Sequence, residues 1–104
     1  MTEISVHELA ARLGADDYAL LDVREDWEYQ LCHLPGSMLI PLDQLPARVQ
    51  ELPAQRPLIV ICHHGVRSRM AQQFLSQLGV NDVVNLTGGI AAWAHEIDPA
   101  MAVY

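Results

Sequence analysis

The sequence contains no lysine, and its six basic residues, all arginines, face 13 acidic residues, which gives a formal net charge of −7. A chain this acidic is poorly suited to bind nucleic acid or an anionic membrane surface, because both present dense negative charge. Long apolar runs are also absent, since none approaches the roughly 20 residues that cross a bilayer. The first residues, Met1-Thr2-Glu3-Ile4, lack the basic region and apolar stretch of a secretion signal. We therefore expect a cytoplasmic protein with no nucleic-acid or membrane partner.

Cysteine is scarce as well, since only Cys32 and Cys62 occur. The two could pair, but a reducing compartment and the setting of Cys62 argue against a structural disulfide. What the sequence has instead is apolar residues, which make up 51% of its 104 positions. That share suits a compact globule with one core, and we predict one domain over residues 1–104. The oligomeric state is left open.

Short apolar stretches alternate along the chain with segments of helical period, which predicts an α/β domain with a mostly parallel sheet. The first helix starts with the capping-box pattern Ser5-Val6-His7-Glu8 and should end near Leu13 and Gly14. A longer helical segment is expected from Pro41 to Leu52. We expect residues 96–104 to lie over the surface, and Trp27, Leu31 and Trp93 to face inward. The predicted strands are residues 3–5, 18–23, 37–40, 58–61 and 82–86.

The most informative stretch runs from Leu58 to Ser68. Four branched apolar residues, Leu58-Ile59-Val60-Ile61, are typical of a strand that is buried on both faces. A helical pattern follows Ser68 and ends at Gly79, so Cys62 opens a tight loop between a central strand and a helix. Unpaired N–H groups at a helix N-terminus favour negative charge, and hence a thiolate with an anionic substrate beside it. The pattern predicts a sulfur nucleophile in an anion-binding loop.

A local group of basic side chains surrounds this cysteine, formed by His63, His64, Arg67 and Arg69. Arginine at a helix N-terminus opposes the helix dipole, and a residue placed at such a cost more often serves a ligand than the fold. This argument favours a binding role for Arg67 and leaves Arg69 undecided between ligand and surface charge. The histidines are expected to shape the rim of the loop rather than bind metal, because the spacing of a zinc site is missing. No metal or cofactor is expected.

Four motifs, in order, resemble those of the single-domain rhodaneses, a family of thiosulfate sulfurtransferase-like proteins. The resemblance implies a five-stranded parallel sheet with helices on both faces, and its motifs cover residues 18–95. It also implies that residues 22 and 24 form an ion pair that supports the site. The motifs are Leu21-Asp22-Val23-Arg24-Glu25 with Trp27-Glu28-Tyr29, His33-Leu34-Pro35-Gly36-Ser37 with Ile40-Pro41, Cys62-His63-His64-Gly65-Val66-Arg67-Ser68, and Leu86-Thr87-Gly88-Gly89-Ile90 with Trp93.

The resemblance also implies a reaction in which Cys62 accepts the sulfane sulfur of a donor such as thiosulfate. The resulting cysteine persulfide passes its sulfur to cyanide or to a thiol, which can be as large as thioredoxin or as small as glutathione. Arg67, with the Ser68 hydroxyl, would bind the anionic donor. The N–H groups of the loop, His63, His64, Gly65, Val66, Arg67 and Ser68, would hold the persulfide.

Other functions remain open on the sequence alone. The fold could deliver sulfur to a partner without turnover, or it could serve only as a docking module. Rhodanese-like phosphatases and arsenate reductases use a loop one residue longer between nucleophile and arginine, so the four residues between Cys62 and Arg67 favour sulfur over phosphate. Cys32 is expected to be a packing residue, with a role as a second, sulfur-accepting thiol as the alternative. His33 is expected to hydrogen-bond to the backbone at a turn.

Overall fold

Five parallel strands form the sheet at the centre of the fold. The structure is a computed structural model that describes residues 3–12, 17–53 and 56–104. The strand order is β1-β5-β4-β2-β3, with every neighbouring pair parallel. This arrangement confirms the predicted α/β sheet. The strands are β1 (Glu3–Ile4), β2 (Ala19–Asp22), β3 (Met38–Leu39), β4 (Leu58–Ile61) and β5 (Val83–Leu86).

Helices cover both faces of the sheet. Alternate residues of β4 supply two separate cores: Ile59 and Ile61 pack on one face, while Leu58 and Val60 pack on the other. The first core includes residues of α1 and α5, and the second includes residues of α3 and α4. The central strand is therefore buried on both sides, as its apolar run predicted. The helices are α1 (Val6–Arg12), α2 (Asp26–Leu31), α3 (Leu45–Arg48), α4 (Val66–Gln77) and α5 (Gly89–Glu96).

The start of α1 has the predicted capping box. The Glu8 N–H donates to the Ser5 hydroxyl oxygen at 3.1 Å, and the Ser5 N–H donates to the Glu8 carboxylate at 3.0 Å. The predicted end of this helix, at Leu13 and Gly14, lies outside the described residues. Within the described ranges, no helix is both long and apolar enough to cross a membrane.

The segment after Pro41 is not one helix, as predicted, but three short pieces. Two 3₁₀ turns, Leu42–Gln44 and Val49–Glu51, flank α3. Pro46 has no N–H to continue a helix from the preceding turn, so a new helix begins beside it. The segment still contributes Leu45 to the core.

Two predicted core positions on α2 are wrong. Trp27 is 59% exposed and Leu31 is 49% exposed, whereas Trp93 is buried as predicted. The inward face of α2 carries Glu28 instead, which is only 3% exposed. Trp27 and Leu31 are four positions apart and share the opposite face of the helix. The helix is oriented by a buried carboxylate rather than by its apolar residues.

Candidate active site

Cys62 lies directly beyond the carboxyl end of β4 and is 1% exposed. Helix α4 begins at Val66, so Arg67 and Ser68 lie in its first turn, and Arg67 is at the helix N-terminus as predicted. The loop proper is therefore short: His63, His64 and Gly65. Gly65 has a φ of +109°, a conformation that side-chain-bearing residues rarely adopt, and this turn aims its N–H at the cysteine.

Two polar groups contact the sulfur of Cys62. The Gly65 N–H donates to Sγ at 3.0 Å, and the Ser68 hydroxyl oxygen lies 3.3 Å from Sγ. Ser68 is fully buried, and its hydroxyl proton is donated to Oδ1 of Asn85 on β5. The N-terminus of α4 adds its dipole behind the Gly65 N–H. The sulfur thus faces one backbone donor at the N-terminus of a helix.

Helix α5 fixes the back of this loop. The Ile90 N–H donates to the Cys62 carbonyl at 2.8 Å, and the Ala91 N–H donates to the His63 carbonyl at 3.0 Å. Gly89 lies so close to both carbonyl groups that a Cβ there would overlap them. The Gly88-Gly89 turn predicted from the sequence therefore also allows α5 to anchor the cysteine loop.

Arg67 is held by a carboxylate from α2. Its Nη1 and Nη2 groups donate to the two carboxylate oxygens of Glu28, at 2.6 and 2.8 Å. A guanidinium has five N–H donors, so this pair leaves three for a ligand. The side chain of Arg67 is 33% exposed, which gives an incoming anion access to it. The hydrogen bonds from Arg67 lower the pKa of Glu28 to about 2, and Glu28 in turn raises the pKa of Arg67.

Asp22 and Arg24 form the expected ion pair beneath the site, and both are fully buried. Nη2 of Arg24 lies 2.7 Å from the Asp22 carboxylate, and Nε also donates to it. The Cys32 carbonyl accepts a further bond from Nη2 at 2.6 Å. Burial lowers the pKa of Arg24, but the hydrogen bonds and charge of Asp22 raise it by more, so the guanidinium stays charged.

Sequence reasoning missed Tyr104, which the structure places over the site. Its hydroxyl donates to Glu28 at 2.7 Å and accepts from Nη1 of Arg24 at 2.9 Å. Its ring stacks on His63, with centroids 3.9 Å apart, and meets the edge of Trp27. Burial and the neighbouring carboxylate of Glu28 raise the pKa of Tyr104 to about 12, so its hydroxyl keeps its proton. The surface path predicted for residues 96–104 therefore ends against the active-site loop.

Glu28 was also missed as a site residue, although it lies within a motif that the sequence displays. The sequence pattern assigned it to the acidic start of a helix. The structure gives it three separate hydrogen-bonding partners: Arg67, Tyr104 and the Glu25 N–H. Glu28 lies three positions after the helix N-cap, at capping-box spacing. That spacing explains its bond to the Glu25 N–H but gives no sign of its bonds to Arg67 and Tyr104.

The two loop histidines lie at the rim, as expected. Their rings are 4.0 Å apart and tilted, and His63 is held between His64 and Tyr104. Burial, followed by the nearby His64, lowers the pKa of His63, which favours its neutral form at pH 7. In the part of the chain that the structure describes, no cluster of three or more His, Cys, Asp or Glu side chains is arranged to hold a metal ion.

Cys32 is half-buried and packs against the core on the α1 side. Its Sγ lies 3.9 Å from Nη1 of Arg24. These contacts agree with a packing role, and a role as a second sulfur acceptor stays a hypothesis. The neighbouring His33 bonds through Nδ1 to the Tyr29 carbonyl at 2.8 Å, which confirms its predicted backbone contact.

We predict that Glu28→Gln lowers the free energy of unfolding at pH 7 by about 1.5–3 kcal/mol, because it removes a carboxylate bonded to a charged partner. The pKa of Glu28 is about 2 when folded, against 4.5 ordinarily. Its contribution is therefore complete above pH 4.5 and is lost as the pH falls toward 2. Urea unfolding between pH 3 and pH 7 should show a shallower pH dependence in the variant.

Glu51→Gln is a matched control for this measurement. Glu51 forms an equivalent two-bond pair with Arg48, but both side chains are about one-third exposed or more. Exposed pairs contribute roughly 0–1 kcal/mol. Equal losses in the two variants would contradict a structural role for the Glu28–Arg67 pair.

Comparison with known proteins shows which family this chain belongs to. A family model for the rhodanese-like domain matches residues 5–96. A sulfurtransferase from Allochromatium vinosum is 35% identical over 103 residues, which cover 98% of this chain and 96% of that protein. The thiosulfate sulfurtransferase GlpE from Tolumonas auensis is 30% identical, covering 90% of this chain and 89% of that one. The solved structure of a rhodanese-related protein from Thermoplasma volcanium has a TM-score of 0.85 and 36% identity, covering 93% of this chain and 94% of that chain.

Proposed function

Because the chain belongs to the rhodanese-like sulfurtransferase family, we propose that Cys62 takes sulfane sulfur from thiosulfate and passes it to a thiol. In the first step the Cys62 thiolate attacks the outer sulfur of thiosulfate. A bond forms between Sγ and that sulfur, the bond to the sulfonate group breaks, and sulfite leaves with the electron pair. In the second step an acceptor thiolate attacks the outer sulfur, which regenerates the Cys62 thiolate and leaves a persulfide on the acceptor.

One observation supports this proposal above the others: the 3.0 Å hydrogen bond from the Gly65 N–H to Sγ at the start of α4. The thiolate carries its negative charge on Sγ, and the persulfide and the bound donor carry theirs on neighbouring atoms in the same loop. A fixed N–H donor backed by a helix dipole stabilises negative charge without having to move itself. The Ser68 hydroxyl oxygen lies 3.3 Å from Sγ, but in the structure its proton is donated to Asn85.

Arg67 is suited to bind the sulfonate group of the donor. The residue lies in the first turn of α4, directly after the cysteine loop, and its guanidinium is partly exposed with donors that Glu28 does not use. Glu28 fixes the position of this guanidinium in the absence of a ligand, which reduces the ordering needed on binding. The net charge of the Glu28–Arg67 pair is zero. We therefore expect thiosulfate to be bound by hydrogen bonds from nearby N–H groups rather than by a large positive potential.

We expect Arg67→Lys to raise the KM for thiosulfate about tenfold or more, with a smaller change in kcat. Lysine keeps the charge but loses the planar fork that can bind Glu28 and a sulfonate together. The matched control is Arg69→Lys, because Arg69 is 58% exposed and bonds to Glu3. Steady-state kinetics should show wild-type values for the control. An unchanged KM in Arg67→Lys would contradict the assignment.

The acceptor must reach a sulfur that is buried in the wall of the loop. An acceptor with a protruding thiol meets this requirement, such as glutathione or an exposed cysteine of a thioredoxin-like protein. We place this reaction in the reducing cytoplasm, where such thiols are abundant.

Multiple-turnover kinetics with thiosulfate and cyanide test the proposal. We expect thiocyanate to accumulate well beyond one equivalent per protein. A single equivalent would indicate a sulfur carrier, and no transfer together with hydrolysis of an aryl phosphate would indicate a phosphatase. Glutathione or reduced thioredoxin in place of cyanide then compares the two classes of thiol acceptor.

A further inference from the structure

Asn85 is a polar residue inside an otherwise apolar strand, beneath the cysteine loop. It is 1% exposed, and the other residues of β5 around it are Val83, Val84 and Leu86. Its Oδ1 accepts a hydrogen bond from the Ser68 hydroxyl. Its Nδ2 is buried and has no hydrogen-bond partner among the described residues. Such unpaired donors are rare in folded proteins and costly, so this one calls for an explanation.

Ser68 connects this amide to the nucleophile. Its hydroxyl oxygen lies 3.3 Å from Cys62 Sγ, while its proton is donated to Asn85. In this arrangement Ser68 can only accept a hydrogen bond from Cys62, which requires the S–H of a neutral thiol. A thiolate would face the lone pairs of Ser68. The arrangement in the structure therefore fits the protonated cysteine and not the attacking species.

We propose that Asn85 is a positioning residue whose amide turns over when Cys62 ionises and so reverses the direction of the Ser68 hydrogen bond. After the turn, Nδ2 donates to the Ser68 oxygen, and the Ser68 hydroxyl donates to Sγ. The Cys62 proton leaves to solvent, and no other covalent bond changes. The inference rests on the proposed function only in taking Cys62 as the attacking sulfur.

The space around Asn85 suits this motion. The oxygen and NH₂ ends of an amide have nearly the same size, so a half-turn exchanges them without repacking. The Nδ2 group faces Gly65. A Cβ on Gly65 would lie 3.9 Å from Nδ2, which is an ordinary van der Waals distance, so the amide is not clamped on this side. After the turn, the thiolate would receive two hydrogen bonds, from the Gly65 N–H and from Ser68.

Other charged and titratable groups surround the loop and remain unchanged in the variants below. They come from the strand β2 and the turn after it, from α2, from the loop, from α4 and from the last residues of the chain. They are Asp22, Arg24, Glu28, His63, His64, Arg67 and Tyr104.

Nuclear magnetic resonance of the wild-type protein tests the amide turn directly. We expect the resonance of one Nδ2 proton of Asn85 to shift downfield, as happens when a proton becomes hydrogen-bonded. The shift should occur at the pH at which the rate of Cys62 alkylation by iodoacetamide is half of its maximum. In Ser68→Ala the chemical shift of the same proton should not change when Cys62 ionises, because the hydroxyl that connects the two residues is gone. A proton that is unresponsive in the wild type, or that responds equally in Ser68→Ala, would overturn the proposal.

Alkylation midpoints give a second test that does not depend on the assignment of resonances. Ser68→Ala should raise the midpoint by about one pH unit, because the thiolate loses a donor. Asn85→Leu, which keeps the shape of the side chain, should change it by less than about a third of a unit, because Ser68 can still donate to sulfur. A fall of about one unit in Asn85→Leu would show that Asn85 is a fixed acceptor, and would refute the turn.

Neither measurement uses a sulfur donor. If the wild-type protein forms no persulfide while the amide responds as described, the proposed function fails and this inference stands. If persulfide forms while the amide does not respond, only the inference fails.

Discussion

Cys62→Ser should abolish sulfur transfer from thiosulfate, with residual thiocyanate formation no greater than that of the buffer. Serine keeps the size and the hydrogen bond from the Gly65 N–H, but an alkoxide is not formed at neutral pH and a hydroxyl cannot hold a sulfane sulfur. Formation of thiocyanate from thiosulfate and cyanide measures this loss. The fold should be unchanged, because the substitution alters one atom at the edge of the core.

The chain provides its own control for this variant in Cys32→Ser. Cys32 is the only other cysteine, it is half-buried and its Sγ makes only a long contact to Arg24. We expect Cys32→Ser to keep full transfer to cyanide. Transfer retained in Cys62→Ser and lost in Cys32→Ser would reassign the nucleophile. If Cys32→Ser loses sulfur transfer only to acceptors that carry two thiols, the result would support Cys32 as a second thiol that accepts sulfur from Cys62.

Asp22→Asn should destabilise the protein by about 3–5 kcal/mol, which is a large part of the roughly 5–15 kcal/mol expected for a domain of this size. The substitution leaves Arg24 charged and without its counterion in a site where both side chains are 0% exposed. Asparagine can still accept one hydrogen bond, so the loss is dominated by the unpaired charge. We expect a fall in Tm of roughly 15 °C or more in thermal unfolding followed by circular dichroism.

An exposed pair elsewhere in the chain gives the comparison. Arg12 and Asp17 lie 2.9 Å apart, with side chains 42% and 58% exposed. Asp17→Asn should change the free energy of unfolding by less than about 1 kcal/mol. A small loss in Asp22→Asn, similar to this control, would mean that Arg24 finds other compensation and that the buried pair does not brace the site.

The parts of the fold that the sequence predicted are those encoded over short distances. The buried run of β4, Cys62 after it and the helix that follows form a continuous segment, so their order alone places the nucleophile at a helix N-terminus. The glycine turn before α5 could be predicted for the same reason, since its backbone conformation excludes most other residues.

The parts that it did not predict depend on contacts between distant segments. Glu28 pairs with Arg67 across 39 positions and with Tyr104 across 76, and no local pattern encodes either distance. The same buried carboxylate explains why Trp27 and Leu31 face outward. Asn85 in β5 was placed correctly in a strand, but its bond to Ser68 appears only once β5 lies beside β4.

The most direct test of the central claim, that Cys62 carries sulfane sulfur in a loop of N–H groups, is the intact mass of the wild-type protein after incubation with thiosulfate. We predict a gain of one sulfur atom, located on Cys62 by peptide mapping and removed by added cyanide. A protein whose mass is unchanged after this incubation, or whose added sulfur maps only to Cys32, would contradict the account.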